Sequence, residues 1–230
     1  MKTVLITGAS SGLGLALAKR FAAEQWQVFG TYRTAFDSKG LEKVTWFYLD
    51  LEQQDSPRNL FSDISSKISR LDALINNAGI ATDHLVAGLP VDEWDRTMTV
   101  NLKGAYLCAQ AALPLFSNGG HILNIGSYAG FQGPAGQSSY AASKAALHGL
   151  TLSLASELAG RNIRVNTLCP GFLLTKMTAS LSDAQRTRLI QMNLLGRSNS
   201  LEEVARFGAF LATTENISGQ LFSLDSRVLP

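Results

Sequence analysis

Short apolar runs alternate along this chain with longer stretches in which apolar side chains recur every three or four positions. The first pattern fits a strand buried on both faces, the second a helix with one apolar stripe. Lys2 to Thr7, Gln27 to Thr31, Val44 to Leu49, Leu71 to Ile75, Gly120 to Ile125, Asn162 to Leu168 and Gln220 to Leu224 read as strands. Leu13 to Glu24, Pro57 to Ile68, Pro90 to about Thr99, Leu102 to Phe116, Ser138 to Leu158 and Leu201 to Ala212 read as helices. Thr178 to Asn193 has helical spacing too, but it is polar where its neighbours are core-like, and it reads as a mobile lid. Strands alternating with helices predict an α/β fold, a doubly wound parallel sheet of seven strands with helices on both faces. No repeat, low-complexity tract or linker divides the 230 residues, so one domain is expected over 1–230, with a small substrate lid at about 172–197.

Composition narrows the classes without choosing among them. Apolar residues at 46% and charged residues at 17% describe a globular protein rather than a disordered or fibrous one. A net charge of +2, with no cluster of Lys or Arg, argues against a nucleic-acid partner. The apolar opening Val4-Leu5-Ile6 is too short for a signal peptide or a membrane span. Cys108 and Cys169 sit far apart inside apolar patterns and read as buried free thiols, which fits a reducing cytoplasm. No metal site is expected.

Five stretches carry chemistry. Thr7-Gly8-Ala9-Ser10-Ser11-Gly12-Leu13-Gly14 lies between a strand and a helix, where glycines let a backbone approach a pyrophosphate and helix N–H groups meet its charge. The second strand ends Thr31-Tyr32-Arg33-Thr34, with no carboxylate before Asp37. The acid that would hold a ribose 2′-hydroxyl is missing and an arginine is present, which favours NADP(H) over NAD(H); the alternative for Arg33 is a solvated surface charge. Asp50, followed by Leu51, either caps the next turn or reaches the adenine, and Asn76-Asn77-Ala78-Gly79 leaves the fourth strand at the ligand-facing edge. In Ser138-Ser139-Tyr140-Ala141-Ala142-Ser143-Lys144 a tyrosine and a lysine stand one helical turn apart. An ammonium beside a phenol favours the phenolate and draws down a pKa that is ordinarily about 10.

These motifs, with Asn101, Ser127 and Pro170-Gly171, resemble the short-chain dehydrogenase/reductase family over nearly the whole chain. The C-terminal third, from Pro170-Gly171-Phe172 through Thr175-Lys176-Met177-Thr178 to Glu203-Val204-Ala205, is similar to bacterial 3-oxoacyl-[acyl carrier protein] reductases. The resemblance implies a Rossmann-type domain in which Tyr140 protonates a carbonyl oxygen as a nicotinamide delivers hydride to its carbon. Ser127 would hold the same oxygen, Lys144 would lower the Tyr140 pKa and bond the ribose, and Asn101 would position a proton-relaying water. It further implies cofactor contacts from Gly8, Ser10, Ser11, Gly12, Leu13, Gly14, Tyr32, Arg33, Asp50, Leu51, Asn77, Ala78, Gly79, Tyr140, Lys144, Pro170, Gly171, Phe172 and Thr175. A homo-oligomer, tetramer or dimer, follows from the same resemblance.

Four departures bear on these expectations. Position 11 is serine where NADP enzymes of the family often carry a basic residue, so Arg33 is left to hold the 2′-phosphate largely alone. Thr34 to Lys43 is short, so the helix between the second and third strands should be lost or vestigial. The C-terminus reads Leu224-Asp225-Ser226-Arg227-Val228-Leu229-Pro230 where relatives usually carry a glycine pair after the last strand, in a tail that normally helps build a subunit interface. Of the two arginines that dock an acidic acyl carrier, one position falls on Arg161 and the other on Asn118. The leading expectation is NADPH-dependent reduction of a 3-oxoacyl thioester, the acyl group arriving on carrier protein or coenzyme A. The alternatives are the same chemistry on another ketone, quinone, sugar or steroid-like alcohol, and a nucleotide-sensing protein without catalysis.

Overall fold

Val4, Leu5 and Ile6 are wholly buried, as a strand in the middle of a sheet requires. In the computed structural model, which describes residues 1–117 and 119–227, they belong to β1 (Thr3–Ile6). β2 (Gln27–Tyr32), β3 (Val44–Tyr48), β4 (Ala73–Asn76), β5 (Gly120–Ile125), β6 (Ile163–Pro170) and β7 (Leu221–Leu224) complete one parallel sheet. The order across it is β3-β2-β1-β4-β5-β6-β7. The direction of winding reverses between β1 and β4, and the carboxyl ends of those two strands open the crevice in which sheets of this kind bind ligands.

The helices are α1 (Gly12–Ala23), α2 (Ser56–Ser65), α3 (Val91–Met98), α4 (Gly104–Ala112), α5 (Ala129–Gln132), α6 (Ser138–Leu158), α7 (Asp183–Gln191) and α8 (Leu201–Thr213). Successive side chains of a strand point to opposite faces, and each face has its own core. Val4, Ile6, Ile75 and Leu123 pack with Leu17 and Phe21 of α1 and Val204 and Ala209 of α8. Leu5, Leu74, Ile122 and Val165 pack on the other side with Phe61 and Ile64 of α2, Cys108 and Ala112 of α4, and Leu158 of α6.

Several boundaries move for identifiable reasons. The expected helix from Leu102 to Phe116 is shorter, because a π-turn at Thr99–Lys103 links α3 to α4 and a 3₁₀ turn at Leu113–Leu115 ends it. The helix expected to reach Ile68 stops at Ser65. Thr178 to Asn193 divides into a 3₁₀ turn (Lys176–Thr178) and α7, whose start is set by a capping box between Ser182 and Gln185. β6 begins after Asn162, which takes a left-handed φ of 53°, and runs on to Pro170 because Cys169 and Pro170 still pair with β7. Residues 33–43 contain no helix, in line with the short segment there. Phe36 stacks edge-on against Trp46 instead, at 4.6 Å, and Trp46 fills the space above Gly30, where a Cβ would lie 2.7 Å from its ring.

His121 of β5 is fully buried, with its Nε2 2.9 Å from the Asn166 amide nitrogen. Burial, with the Arg164 charge second, pushes its pKa down to about 3 from 6.5. Between those values the unfolded chain binds a proton at this ring and the folded chain does not. Stability is therefore intact above pH 6.5 and falls as pH drops toward 3, by up to roughly 1.4 kcal/mol per pH unit. Urea unfolding across that window should show the slope, and His121→Gln should flatten it. An equally steep slope in the variant would place the acid sensitivity elsewhere.

Candidate active site

Strand β1 ends in a turn tied to the exit of β4. The Thr7 hydroxyl accepts from the backbone N–H groups of Asn77 and Ala78, each at 3.0 Å. The Asn77 amide donates back to the carbonyls of Thr7 at 2.9 Å and Gly8 at 3.1 Å. Gly8 has a φ of +64°, and a Cβ there would lie 2.9 Å from the Ala78 backbone; one at Gly14 would overlap the Gly8 carbonyl oxygen. So Asn77, expected at the cofactor, spends its side chain holding the turn from behind. Beyond the turn, α1 starts without a side-chain cap from Ser11 and without an acidic residue in its first turn. Its leading N–H groups and the positive end of its dipole suit a bound pyrophosphate.

At the end of β2, Arg33 meets a partner the sequence does not reveal. Its Nη1 donates to Glu52 Oε1 at 2.5 Å, and Nε of Arg96 on α3 donates to the same oxygen at 2.9 Å. Arg96 first, and Arg33 after it, hold the Glu52 carboxyl below the usual carboxylate range. Asp50 Oδ1 accepts the Glu52 N–H at 3.1 Å, the turn-capping arrangement. Leu51 packs where a Cβ on Gly104 would stand, and Tyr32 is half-buried against Phe36. Glu52 lies 19 residues from Arg33 and 44 from Arg96, and no local spacing signals either pair.

Tyr140 and Lys144 lie in the first turns of α6, and both reach the carboxyl edge of β5. Lys144 is 4% exposed, and its Nζ donates to the Ile125 carbonyl at 2.7 Å. That nitrogen sits 5.8 Å from the centre of the Tyr140 ring. Burial pushes the Lys144 ammonium down to about 8. Tyr140 is hydrogen-bonded to Ser127, yet burial outweighs that bond and raises the phenol above its ordinary value. The depression expected from the neighbouring ammonium is thus not what the folded chain produces. The ammonium is aimed at a carbonyl, and the phenol stays protonated at neutral pH.

Asn101, 2% exposed, stands in the π-turn between α3 and α4. Its Oδ1 accepts from Ile80 N at 2.8 Å, and its Nδ2 donates to Ile80 O at 2.9 Å and Ser143 Oγ at 3.0 Å. Asn101 Oδ1 and Lys144 Nζ both face Gly79, lying 3.2 and 3.6 Å from where its Cβ would be. π-Turns recur where a helix must swing one side chain into a site.

Below these groups runs a buried polar line the sequence did not disclose. Asn76 Nδ2 donates to Asn124 Oδ1 at 2.9 Å, Asn124 Nδ2 to Thr151 Oγ1 at 2.9 Å, and Thr151 and Thr167 share a hydroxyl bond of 2.7 Å. It crosses from β4 through β5 to α6 and β6 and fixes the register of the helix that carries Tyr140. Beside it, Cys169 Sγ sits 3.7 Å from His148 Nε2, and a Cβ on Gly126 would come within 2.6 Å of that sulfur. Burial raises the Cys169 thiol to about 11. Both cysteines are free.

Pro170 and Gly171 turn the chain from β6 into residues 172–200, where Phe172 and Leu173 are buried. Thr175 comes back to the glycine turn, its methyl 3.6 Å from where a Cβ on Gly12 would lie. Leu174, Met177, Leu194 and Leu195 are exposed apolar residues of the same segment. Arg161, a candidate for carrier docking, directs Nη2 at the carbonyls of Leu113 at 2.7 Å and Phe116 at 2.8 Å, closing the end of the α4 region. Its expected companion position, Asn118, lies outside the described residues.

The arrangement matches known proteins closely. The model of the short chain dehydrogenase family matches residues 2–186. The chain is 39% identical to the 3-oxoacyl-[acyl-carrier-protein] reductase FabG of Thermotoga maritima, over 99% of this chain and 98% of that protein. It is 36% identical to the FabG of Salmonella typhimurium, over 93% and 91%. Among solved structures, a Pseudomonas aeruginosa RhlG/NADP active-site complex superimposes with a TM-score of 0.92 at 29% identity, covering 98% of this chain and 95% of that one. A short-chain dehydrogenase/reductase from Serratia marcescens does so with 0.91 at 31% identity, covering 98% and 96%. On the family match and the identity to these relatives over nearly the whole of both chains, the chain belongs to the short-chain dehydrogenase/reductase family.

Proposed function

We propose that this chain is an NADPH-dependent reductase that turns the keto group of a 3-oxoacyl thioester into a secondary alcohol. The observation that carries the reading is the hydroxyl pair Ser127 and Tyr140, hydrogen-bonded to each other at the β5 edge beside the buried Lys144. Ser10, Ser11 and Gly12 to Gly14 would hold the pyrophosphate, Arg33 with Tyr32 the 2′-phosphate side, Asp50 and Leu51 the adenine, and Phe172 with Thr175 the carboxamide end. NADPH, when bound, supplies the hydride that adds to the carbonyl carbon. Ser127 and Tyr140 donate to the carbonyl oxygen, and Tyr140 gives up its proton as negative charge develops there. A phenol kept protonated at neutral pH is suited to that direction. Lys144 stabilises the phenolate left behind and draws its proton supply from the side of Asn101, across Gly79.

The substrate class follows the FabG relatives, and the exposed apolar residues Leu174, Met177, Leu194 and Leu195 offer a lid surface for an acyl chain. The commitment of Arg161 to two backbone carbonyls weakens a docking site for an acidic carrier protein and favours thioesters or ketones presented without one. As part of this reading we propose that subunits would meet on the groove between α3, α4 and α6, supported by its apolar lining of Met98, Leu102, Tyr106 and Leu150. A reducing cytoplasm suits the two buried thiols. Among the described residues no helix is long and apolar enough to cross a membrane.

The test is nicotinamide absorbance with acetoacetyl-CoA and acetoacetyl carrier protein side by side. Turnover of both, with the carrier preferred by less than about tenfold, is expected from the missing half of the docking pair. No oxidation of NADPH by either thioester, against turnover of a simple ketone, would move the substrate outside this class.

A further inference from the structure

The segment after β7 lies against the active site of its own chain. Asp225 and Arg227 form an ion pair whose side chains are only 1% and 8% exposed. The Arg227 guanidinium lies 3.7 Å from the centre of the Tyr128 ring. Tyr128 follows Ser127 directly in a tight turn, held by Ala129 N donating to Ser127 Oγ at 3.1 Å and Gly130 N to Ser127 O at 3.1 Å. The same segment fastens both ends of residues 172–197. At one end Gly171 N donates to Leu224 O at 3.0 Å, and the Asp225 carboxylate carbon stands 3.1 Å from where a Cβ on Gly171 would be. At the other, Leu195 N donates to Ser226 Oγ at 3.2 Å and Leu194 N to Ser226 O at 3.4 Å. Asn199 joins the two by donating to Leu224 O.

We infer that Arg227 is a positioning residue for the carbonyl reduction proposed above: its planar cation, neutralised by Asp225, clamps Tyr128 so that Ser127 presents its hydroxyl at a fixed point beside Tyr140. Ser226 and Asp225 make the clamp continuous with both hinges of the lid segment, so lid position and serine position are set by one strap. A guanidinium is needed because only a flat cation can stack on the ring while its edge bonds the carboxylate. A buried carboxylate left alone is costly, so a single neutral substitution at Arg227 would confound the question.

Two variants avoid that difficulty. Arg227→Lys keeps the charge and loses the flat stack; Asp225→Asn with Arg227→Met removes both charges together. Each should lower kcat by roughly tenfold to a hundredfold, the scale on which small misplacements act. The NADPH dissociation constant, measured by nicotinamide fluorescence, should rise by much less than kcat falls, since the strap touches none of the phosphate contacts and meets the cofactor site only at the carboxamide end, through Gly171. The alkaline limb of kcat/KM should move to higher pH, because the Ser127 bond that favours the ionised phenol is weakened. Ratios to wild type are taken on whichever carbonyl the wild type reduces, so a mistaken substrate class leaves this comparison standing. Wild-type kcat in a folded Arg227→Lys protein would overturn the inference. Loss of kcat and NADPH affinity in parallel, with no shift of the pH limb, would overturn it too, by showing a general loosening.

Discussion

Tyr140→Phe should cost on the order of a thousandfold in turnover while NADPH binds about as tightly as before. This phenol combines a bond to Ser127 with a lysine behind its ring. General acid catalysis is worth typically 10²- to 10⁴-fold. Here Ser127 would still hold the oxygen but could not supply its proton, since an aliphatic hydroxyl is a far weaker acid than a phenol. The fold should be unaffected, because Lys144 is anchored on Ile125 and α6 on Thr151 rather than on the lost hydroxyl. Initial rates from nicotinamide absorbance and binding from fluorescence separate the two quantities. A variant that turns over at wild-type speed would take Tyr140 out of its assigned place.

The second large effect is on cofactor choice. Arg33→Ala should weaken NADPH roughly ten- to a hundredfold, the value of a charge-assisted hydrogen bond, while leaving NADH within a factor of about two. Glu52 sharpens the expectation. In the folded chain it holds Arg33, so a 2′-phosphate has to compete for that guanidinium, with Arg96 remaining as the partner Glu52 keeps. Once Arg33 is gone, Glu52 adds repulsion to the loss of attraction. Titrating both dinucleotides into wild type and variant decides the matter, and equal losses would show that Arg33 does not read the 2′-phosphate.

Much of the architecture was legible because strand and helix periods are local properties. Val4 to Ile6, Leu74 to Ile75 and Ile122 to Leu123 are apolar without interruption, which only strands covered on both faces require. The Tyr140–Lys144 pair was legible for the same reason, being one turn of one helix. What stayed hidden depends on neighbours distant in sequence. The phenol's direction of shift was misjudged because a charge four residues away is visible in the chain and burial is not. That the Asn77 amide is bound to Thr7 and Gly8 was likewise hidden, since nothing local in the chain shows it. Glu52, Arg96 and the Asn124–Thr151–Thr167 line join elements brought together only by the winding of the sheet.

That buried line also governs how the protein can change. From Asn76 Nδ2 to Thr167 each group is spent on the next, while Asn76 Oδ1 has no partner among the described residues, so replacing an inner member strands its neighbour in a dry interior, and tolerable substitutions there come in matched sets. The helix bearing Tyr140 therefore cannot be re-aimed by itself. A change of specificity is therefore expected from the loops around the cleft rather than from the floor beneath it.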